Sequence, residues 1–255
     1  SGIQLEADGI GLYDCHDVVV KRVWSQACGR DGITILGYTT GSVWENMDIE
    51  VHDGHFNYNG RVGMNWGSGC GVKAYNSEFN YNAIGYVTSA AAAGMDMEYH
   101  GPYDGFAPVK HGYFESCQFL YNRSYGVVTS TEGSVLRMEN TGYFDFVNCR
   151  IAGSELGHAL TADAQHMTFE GCDIHGTTSR VFFGAETLQD VSMGTRFTDC
   201  SFSETLSGQS LSTPGTWLMA TAPNSGALVL DNCTFEQYCD LRGLHIHGGF
   251  EADHY

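Results

Sequence analysis

The sequence predicts an all-β protein in which residues 1–255 form a single parallel β-helix, a solenoid of about nine coils. Three observations support this prediction. A glycine frame recurs about every 31 residues, a cysteine frame marks a second strand-like segment in each repeat, and hardly any stretch has the spacing of an amphipathic helix. A period of roughly 20 to 50 residues built from short strands is typical of a solenoid.

The glycine frame reads Gly-apolar-x-apolar, and successive glycines lie 31, 31, 32 and 31 residues apart: Gly32, Gly63, Gly94, Gly126 and Gly157. Side chains of a strand alternate between its two faces, so the first and third residues after each glycine face the interior. This register predicts that Met64, Met95 and Val127 stack in one column. An antiparallel sandwich or propeller is the alternative, but only Asn59-Gly60 has the form of a tight hairpin turn.

The cysteine frame reads Cys-x-apolar and recurs five times: Cys117, Cys149, Cys172, Cys200 and Cys233. The chain has nine cysteines, an odd number, and no Cys-x-x-Cys pair. We therefore interpret the five as small buried thiols in successive copies of the repeat. A disulfide framework is the alternative.

The charge of the chain excludes some classes of partner. Its 30 acidic and 12 basic residues give a net charge of −18, which disfavours nucleic acid and anionic membranes because both are polyanions. No apolar run is long enough for a membrane span, and no signal pattern precedes the first strand-like segment. Ser1-Gly2 runs directly into strand-like sequence, which predicts that the chain is a piece of a longer protein.

Three phrases carry a resemblance to a known family: "FNYNGRVGMNW", "AAGMDMEY" and "ESCQFLYNRSYGVVTS". They resemble the asparagine-, glycine- and cysteine-containing phrases of right-handed β-helix proteins of the pectate-lyase-like superfamily. The resemblance, with the general rule for crossovers, implies a right-handed helix. It also implies a polysaccharide bound along the side, as in a phage tailspike-type depolymerase or a secreted enzyme. An extracellular location and a homotrimer follow from the same resemblance.

A candidate site lies at the outward positions of the first three coils, where polar residues concentrate: Arg61, Asn65, Asp96 and Glu98, with Arg30 one coil away. The Cα atoms of Asp96 and Glu98 are expected about 6.5 to 7 Å apart. Inverting glycosidases hold their two carboxyl groups roughly 6.5 to 9.5 Å apart. We therefore predict that one acid protonates the leaving oxygen and the other activates water, while Arg61 and Asn65 place the substrate. A solvated strand face and a calcium site are the alternatives.

The loop 99–108 follows this strand and is rich in rings. Tyr99, Tyr103 and Phe106 are predicted platforms for sugar rings, and His100 and Asp104 are predicted to bond hydroxyl groups. A surface loop whose aromatic residues pack on the coil is the alternative.

Two other functions remain open at this point. A lyase or uronate epimerase would need cationic and basic groups, which are available at Arg61, Lys73, His100, Lys110 and His111. However, the chain lacks an Asp-Pro-His motif and a cluster of Lys and Arg. A non-catalytic glycan-binding or spike module is the third hypothesis. The sequence calls for no cofactor beyond the calcium alternative.

Overall fold

The protein is represented by a computed structural model. It describes residues 7–37, 46–85, 92–98, 109–130, 141–154, 159–161, 165–176, 178–181, 194–203, 218–221, 228–235 and 244–247. These ranges contain 22 strands and no helix, which confirms the predicted all-β class. In the described residues there is accordingly no helix long and apolar enough to cross a membrane.

The strands form three sheets. The first has nine strands: β1 (Ile10–Tyr13), β3 (Ile33–Leu36), β5 (Met64–Trp66), β7 (Met95–Glu98), β10 (Val127–Ser130), β13 (Leu160–Thr161), β16 (Thr178–Val181), β19 (Leu218–Thr221) and β22 (Leu244–His247). The second has eight: β2 (Val18–Lys21), β4 (Asn46–His52), β6 (Cys70–Tyr75), β8 (Val109–Glu115), β11 (Thr141–Val147), β14 (Gln165–Glu170), β17 (Thr195–Thr198) and β20 (Leu228–Asp231). The third has five: β9 (Gln118–Phe119), β12 (Arg150–Ala152), β15 (Asp173–His175), β18 (Ser201–Ser203) and β21 (Thr234–Phe235).

Pairing between these strands is parallel, and most neighbours in a sheet are separated in sequence by strands of the other sheets. Single-residue bridges continue the third sheet toward the N-terminus through Trp24, His55, Glu78 and Gln118. We call one passage of the chain through the sheets a repeat. Residues at the same register position in successive repeats form a column.

The predicted methionine column is confirmed: Met64 pairs with Met95, and Met95 pairs with Val127. Close approach between repeats explains the glycine frame. A Cβ atom on Gly63 would lie 2.7 Å from the carbonyl oxygen of Gly94 and 2.9 Å from Nδ2 of Asn82. Because real Cβ atoms are not found so near backbone atoms, a side chain at this position would push neighbouring repeats apart.

The fifth copy of the glycine frame has a different register from the predicted one. Val127 pairs with Leu160, so Ala159 rather than Gly157 follows Gly126 in the frame column. Likewise Thr161, not Ala159, pairs with Val128 in the column of Asp96. A shift of two residues preserves the alternation of inward and outward side chains, so the apolar pattern alone does not distinguish the two registers. Ala159 is small and fully buried.

The cysteine column is confirmed, and the disulfide alternative is wrong for the described cysteines, all of which are free. Each Sγ donates to a backbone carbonyl of the preceding repeat; Cys149 reaches Phe114 over 3.4 Å, and Cys172 reaches Phe146 over 3.3 Å. The thiols lie beside stacked phenylalanines in a common core between the sheets.

Candidate functional site

Three of the predicted site residues lie close together at the first sheet. Asn65 on β5 pairs directly with Asp96 on β7. Arg61 lies on the chain that leads into β5, and its guanidinium interacts electrostatically with Asp96. Glu98 is the last residue of β7, where its backbone pairs with Ser130. The predicted loop residues Tyr99, His100, Tyr103, Asp104 and Phe106 lie outside the described residues.

The polar row on this sheet consists of Thr34, Asn65 and Asp96, which follow one another in register. The row faces away from the apolar core, as predicted, because its neighbours along each strand are core residues. It is nevertheless buried: Asn65 is 5% exposed and Asp96 is 3% exposed. The alternative that the two acids lie on a solvated strand face is therefore wrong for Asp96, while the side chain of Glu98 lies outside the described part of the structure.

A buried carboxylate, which the sequence analysis missed, organises the cluster. Asp31 is fully buried and accepts hydrogen bonds from Arg61 Nε at 2.8 Å and from Thr34 Oγ1 at 3.2 Å. The terminal guanidinium nitrogen Nη2 of Arg61 donates to the second carboxylate oxygen of Asp31. Arg30 Nε lies 3.2 Å from Asp31 and 3.0 Å from Asp8. Arg61 and Asp31 thus form a bidentate ion pair, the strong geometry for a guanidinium and a carboxylate.

The ion pair shifts the pKa of Arg61. Desolvation by burial would lower this pKa, but the hydrogen bond and the charge of Asp31 raise it by more, and the charge of Asp96 adds to the increase. The guanidinium therefore stays charged. It lies in the fields of two carboxylates, Asp31 and Asp96.

The residues proposed for other chemistries lie elsewhere. Lys73 is on β6, and Lys110 and His111 are on β8, so these bases belong to the second sheet rather than to the Arg61 cluster. Within the part of the chain that the structure describes, no group of three His, Cys, Asp or Glu side chains is placed to hold a metal ion.

A second feature that the sequence analysis missed is a stack of three tyrosines at the corner between the third and first sheets. The ring centroids of Tyr58 and Tyr81 are 5.0 Å apart, and those of Tyr81 and Tyr121 are 4.9 Å apart, with rings within 9° of parallel. We call these three residues the tyrosine column. Its sequence signal is the repeated phrase "FNYN", "FNYN" and "FLYN" at residues 56, 79 and 119. The copies lie 23 and 40 residues apart, so a search for a period of 31 residues does not find them.

Comparison with known proteins assigns the chain to no family. No family model matches the chain, and no curated protein matches it. A solved structure that matches is a trypsin-treated form of QnrB1, a plasmid-mediated fluoroquinolone resistance protein, at 12% identity and a TM-score of 0.27. The match covers 87% of this chain and 93% of that chain. A TM-score this low carries no argument about the fold or function of this chain.

The predicted membership of the pectate-lyase-like superfamily, with its tailspike-type depolymerases, is wrong. No family model of that superfamily or of any other matches the chain, and the solved structure reported above is that of a resistance protein. The phrases that carried the resemblance have a geometric cause. The asparagines of "FNYN" hydrogen-bond across repeats, Gly63 permits close packing, and Cys117 is a buried thiol. Stacked parallel repeats favour such residues whatever the family.

Proposed function

We propose that the chain is a single right-handed parallel β-helix of about nine coils that binds an extracellular polysaccharide along the outer side of its first sheet and hydrolyses it. The nine-stranded first sheet, to which the chain returns after visiting the other sheets, supports the coil number. The right-handed sense rests on the general rule for parallel crossovers.

The observation that carries the functional proposal is the arrangement on β5 and β7. Strand β7 holds Asp96 and Glu98 two residues apart, and β5 places Asn65 beside Asp96. This spacing suits a pair of carboxyl groups with a water molecule between them. Asn65 and Arg61 supply an amide and a cation within the same cluster, and these groups recognise sugar hydroxyls and ring oxygens.

A non-catalytic glycan-binding module is the second candidate, and one observation favours it. Asp96 is 3% exposed, and Arg61 is held by the fully buried Asp31. A carboxyl group so enclosed has little access to a glycosidic bond. The same cluster would then serve mainly to fix the shape of the first sheet beneath a bound polymer.

The two candidates are separated by replacing the acids with their amides. Wild-type protein, Asp96→Asn and Glu98→Gln are incubated with bacterial capsular and O-antigen polysaccharides, while new reducing ends and retention in affinity electrophoresis are measured. Asp173→Asn, an exposed carboxylate on the third sheet, is the matched control. For a hydrolase, each amide variant should lose about 100-fold or more in turnover and keep its retention. Full turnover in both variants would contradict the assignment of the acids, and retention without cleavage by the wild type would favour the binding module.

A further inference from the structure

The tyrosine column ends at Tyr58, and the next position in the preceding repeat is Ala27. The register is fixed on both sides of this position. Trp24 bridges to His55, and Cys28 N donates to Asn59 Oδ1 at 3.1 Å while Gly60 N donates to Cys28 O at 2.9 Å. Ala27 therefore lies opposite Tyr58, where the next three repeats carry a ring and the two after them carry Gly153 and Gly176.

One face of Tyr58 consequently lacks an aromatic neighbour within the column. Its other face stacks on Tyr81 with the rings within 6° of parallel, yet Tyr58 remains 50% exposed. The spacing of the column, 5.0 Å from ring to ring, is also about the spacing of neighbouring strands. The space over the methyl group of Ala27 thus has the thickness of one ring.

The backbone gives no reason for tyrosine at this corner. The φ angles are 60° at Tyr58, 57° at Tyr81 and 56° at Tyr121, in the left-handed region that favours Gly and Asn. A bulky residue there costs about 1 to 3 kcal/mol. Because the corner would fold with less strain around Gly or Asn, the rings themselves need an explanation. Ala27 has the same backbone conformation, with φ at 55°.

We propose that the face of Tyr58 over Ala27 is a stacking site for one neutral pyranose ring of a polysaccharide. This inference rests on the proposed function and names the class of sugar. The C–H groups on the face of a pyranose carry partial positive charge and pack against the electron-rich face of an aromatic ring. The sugar would occupy the place that a tyrosine occupies in each of the next three repeats.

Charge and surroundings favour a neutral sugar over an anionic one. The net charge of −18 repels uronates and phosphates. Trp24, three residues before Ala27, is 73% exposed, and its ring lies 5.0 Å from that of His55 at an interplanar angle of 57°. A second exposed aromatic residue therefore lies in the same repeat. Gln26, between Trp24 and Ala27, is exposed and supplies amide groups for hydroxyls.

The test is a substitution that fills the site. Ala27→Tyr should extend the column, since Ala27 already has the φ that Tyr58, Tyr81 and Tyr121 adopt. It would occupy the sugar position while leaving Tyr58 in place. Tyr58→Ala removes the platform instead. Tyr143→Ala is the control, because Tyr143 has φ at 63° and lies in a separate ring stack with His111 and His166 on the second sheet.

The probes are cellohexaose, maltohexaose, chitohexaose and the acidic hexaguluronate, together with their parent polymers, measured by calorimetry and affinity electrophoresis. Ala27→Tyr and Tyr58→Ala should each weaken binding of a neutral glycan about three- to tenfold at unchanged Tm, while Tyr143→Ala should not. Wild-type affinity in Ala27→Tyr, or a preference for hexaguluronate, would overturn the stacking site and leave the proposed function standing. If the wild type binds none of these glycans and none of the capsular or O-antigen polymers, both proposals fail.

Discussion

Asn59 donates its side-chain amide to the side-chain carbonyl of Asn82 in the next repeat over 3.1 Å. Asn82 in turn donates its side-chain amide to the side-chain carbonyl of Asn122 over 3.0 Å. The backbone N–H of Asn59 also donates to Asn82 Oδ1, and the backbone N–H of Asn82 also donates to Asn122 Oδ1. All three asparagines are buried. This ladder satisfies polar groups of the corner that carries the tyrosine column, and it supports the register of the second, third and fourth repeats at that corner.

Replacing Asn82 with leucine should be strongly destabilising. Asn82→Leu leaves the backbone N–H of Asn59 buried without an acceptor, at about 1–3 kcal/mol. It also removes one side-chain hydrogen bond each from Asn59 and Asn122, which keep their bonds to Ser25 O and to the backbone N–H of residue 82. We expect a loss of about 2–5 kcal/mol in the free energy of unfolding, measured by urea denaturation. The control is Asn76→Gly, an exposed corner residue with φ at 49°. Equal stability of Asn82→Leu and Asn76→Gly would show that the ladder contributes nothing.

Removing the cation of the buried ion pair should also destabilise the fold. Arg61→Met leaves the fully buried Asp31 without its main partner. Breaking one side of a buried pair costs about 3–5 kcal/mol. The double variant Asp31→Asn/Arg61→Met should recover part of this loss, because it removes the uncompensated charge as well. Denaturation of both variants measures the difference, and Arg150→Met, on the exposed face of β12, is the control. A double variant less stable than Arg61→Met would contradict the argument.

The four buried members of the cysteine column, Cys117, Cys149, Cys172 and Cys200, should resist alkylation in the native protein. Burial and interaction with the neighbouring thiol of Cys117 raise the pKa of Cys149. Interaction with the thiol of Cys149 is the largest cause that raises the pKa of Cys172, and burial also raises it. Both thiols therefore stay protonated and unreactive at pH 8. Mass spectrometry after iodoacetamide should find label on the partly exposed Cys15 and Cys28 first. Labelling of Cys149 at the rate of Cys15, without denaturant, would rule out the buried column.

Glu78 should contribute to the acid limb of stability. Partial burial raises its pKa, but hydrogen bonds from His55 at 2.9 Å and Asn57 at 3.0 Å lower it by more, so the pKa is below its ordinary value. A lowered folded-state pKa stabilises the fold above the unfolded value of about 4.3, and this contribution is lost as the pH falls through the folded pKa. Glu78→Gln should therefore flatten the fall of Tm below about pH 4.3.

The matched control for this pH dependence is Glu170→Gln, at the exposed end of β14. It should keep the wild-type acid limb of the Tm profile. If Glu78→Gln and the wild type lose Tm in parallel from pH 5 to pH 3, the hydrogen bonds of Glu78 do not contribute to stability in acid.

Sequence reasoning reached the strand class, the methionine and cysteine columns, and the neighbours Asn65 and Asp96, because a period near 31 residues sets the first repeats in register. It placed the fifth copy two residues out of register, since a shift from Gly157 to Ala159 leaves the alternation of faces intact.

Burial of the candidate site was not predictable in the same way. The alternation of side chains along the strand predicts that Asp96 points away from the core, but it does not predict which residues cover the outer face of the sheet. Asp31 did leave a signal, since it is an acid immediately before a frame glycine, where Val62 and Ala93 stand in the next repeats. The tyrosine column escaped because its spacings of 23 and 40 residues differ from the main period.

The most direct test of the central claim is incubation of the wild-type chain with capsular, O-antigen, alginate and pectic polysaccharides, with reducing ends and ultraviolet absorbance followed together. Hydrolysis by Asp96 and Glu98 predicts new reducing ends without new absorbance from one of these polymers. Absorbance from a conjugated double bond would contradict hydrolysis, since it reports elimination. Unchanged length of every polymer, with none retained by the protein, would contradict the account of a polysaccharide-binding chain altogether.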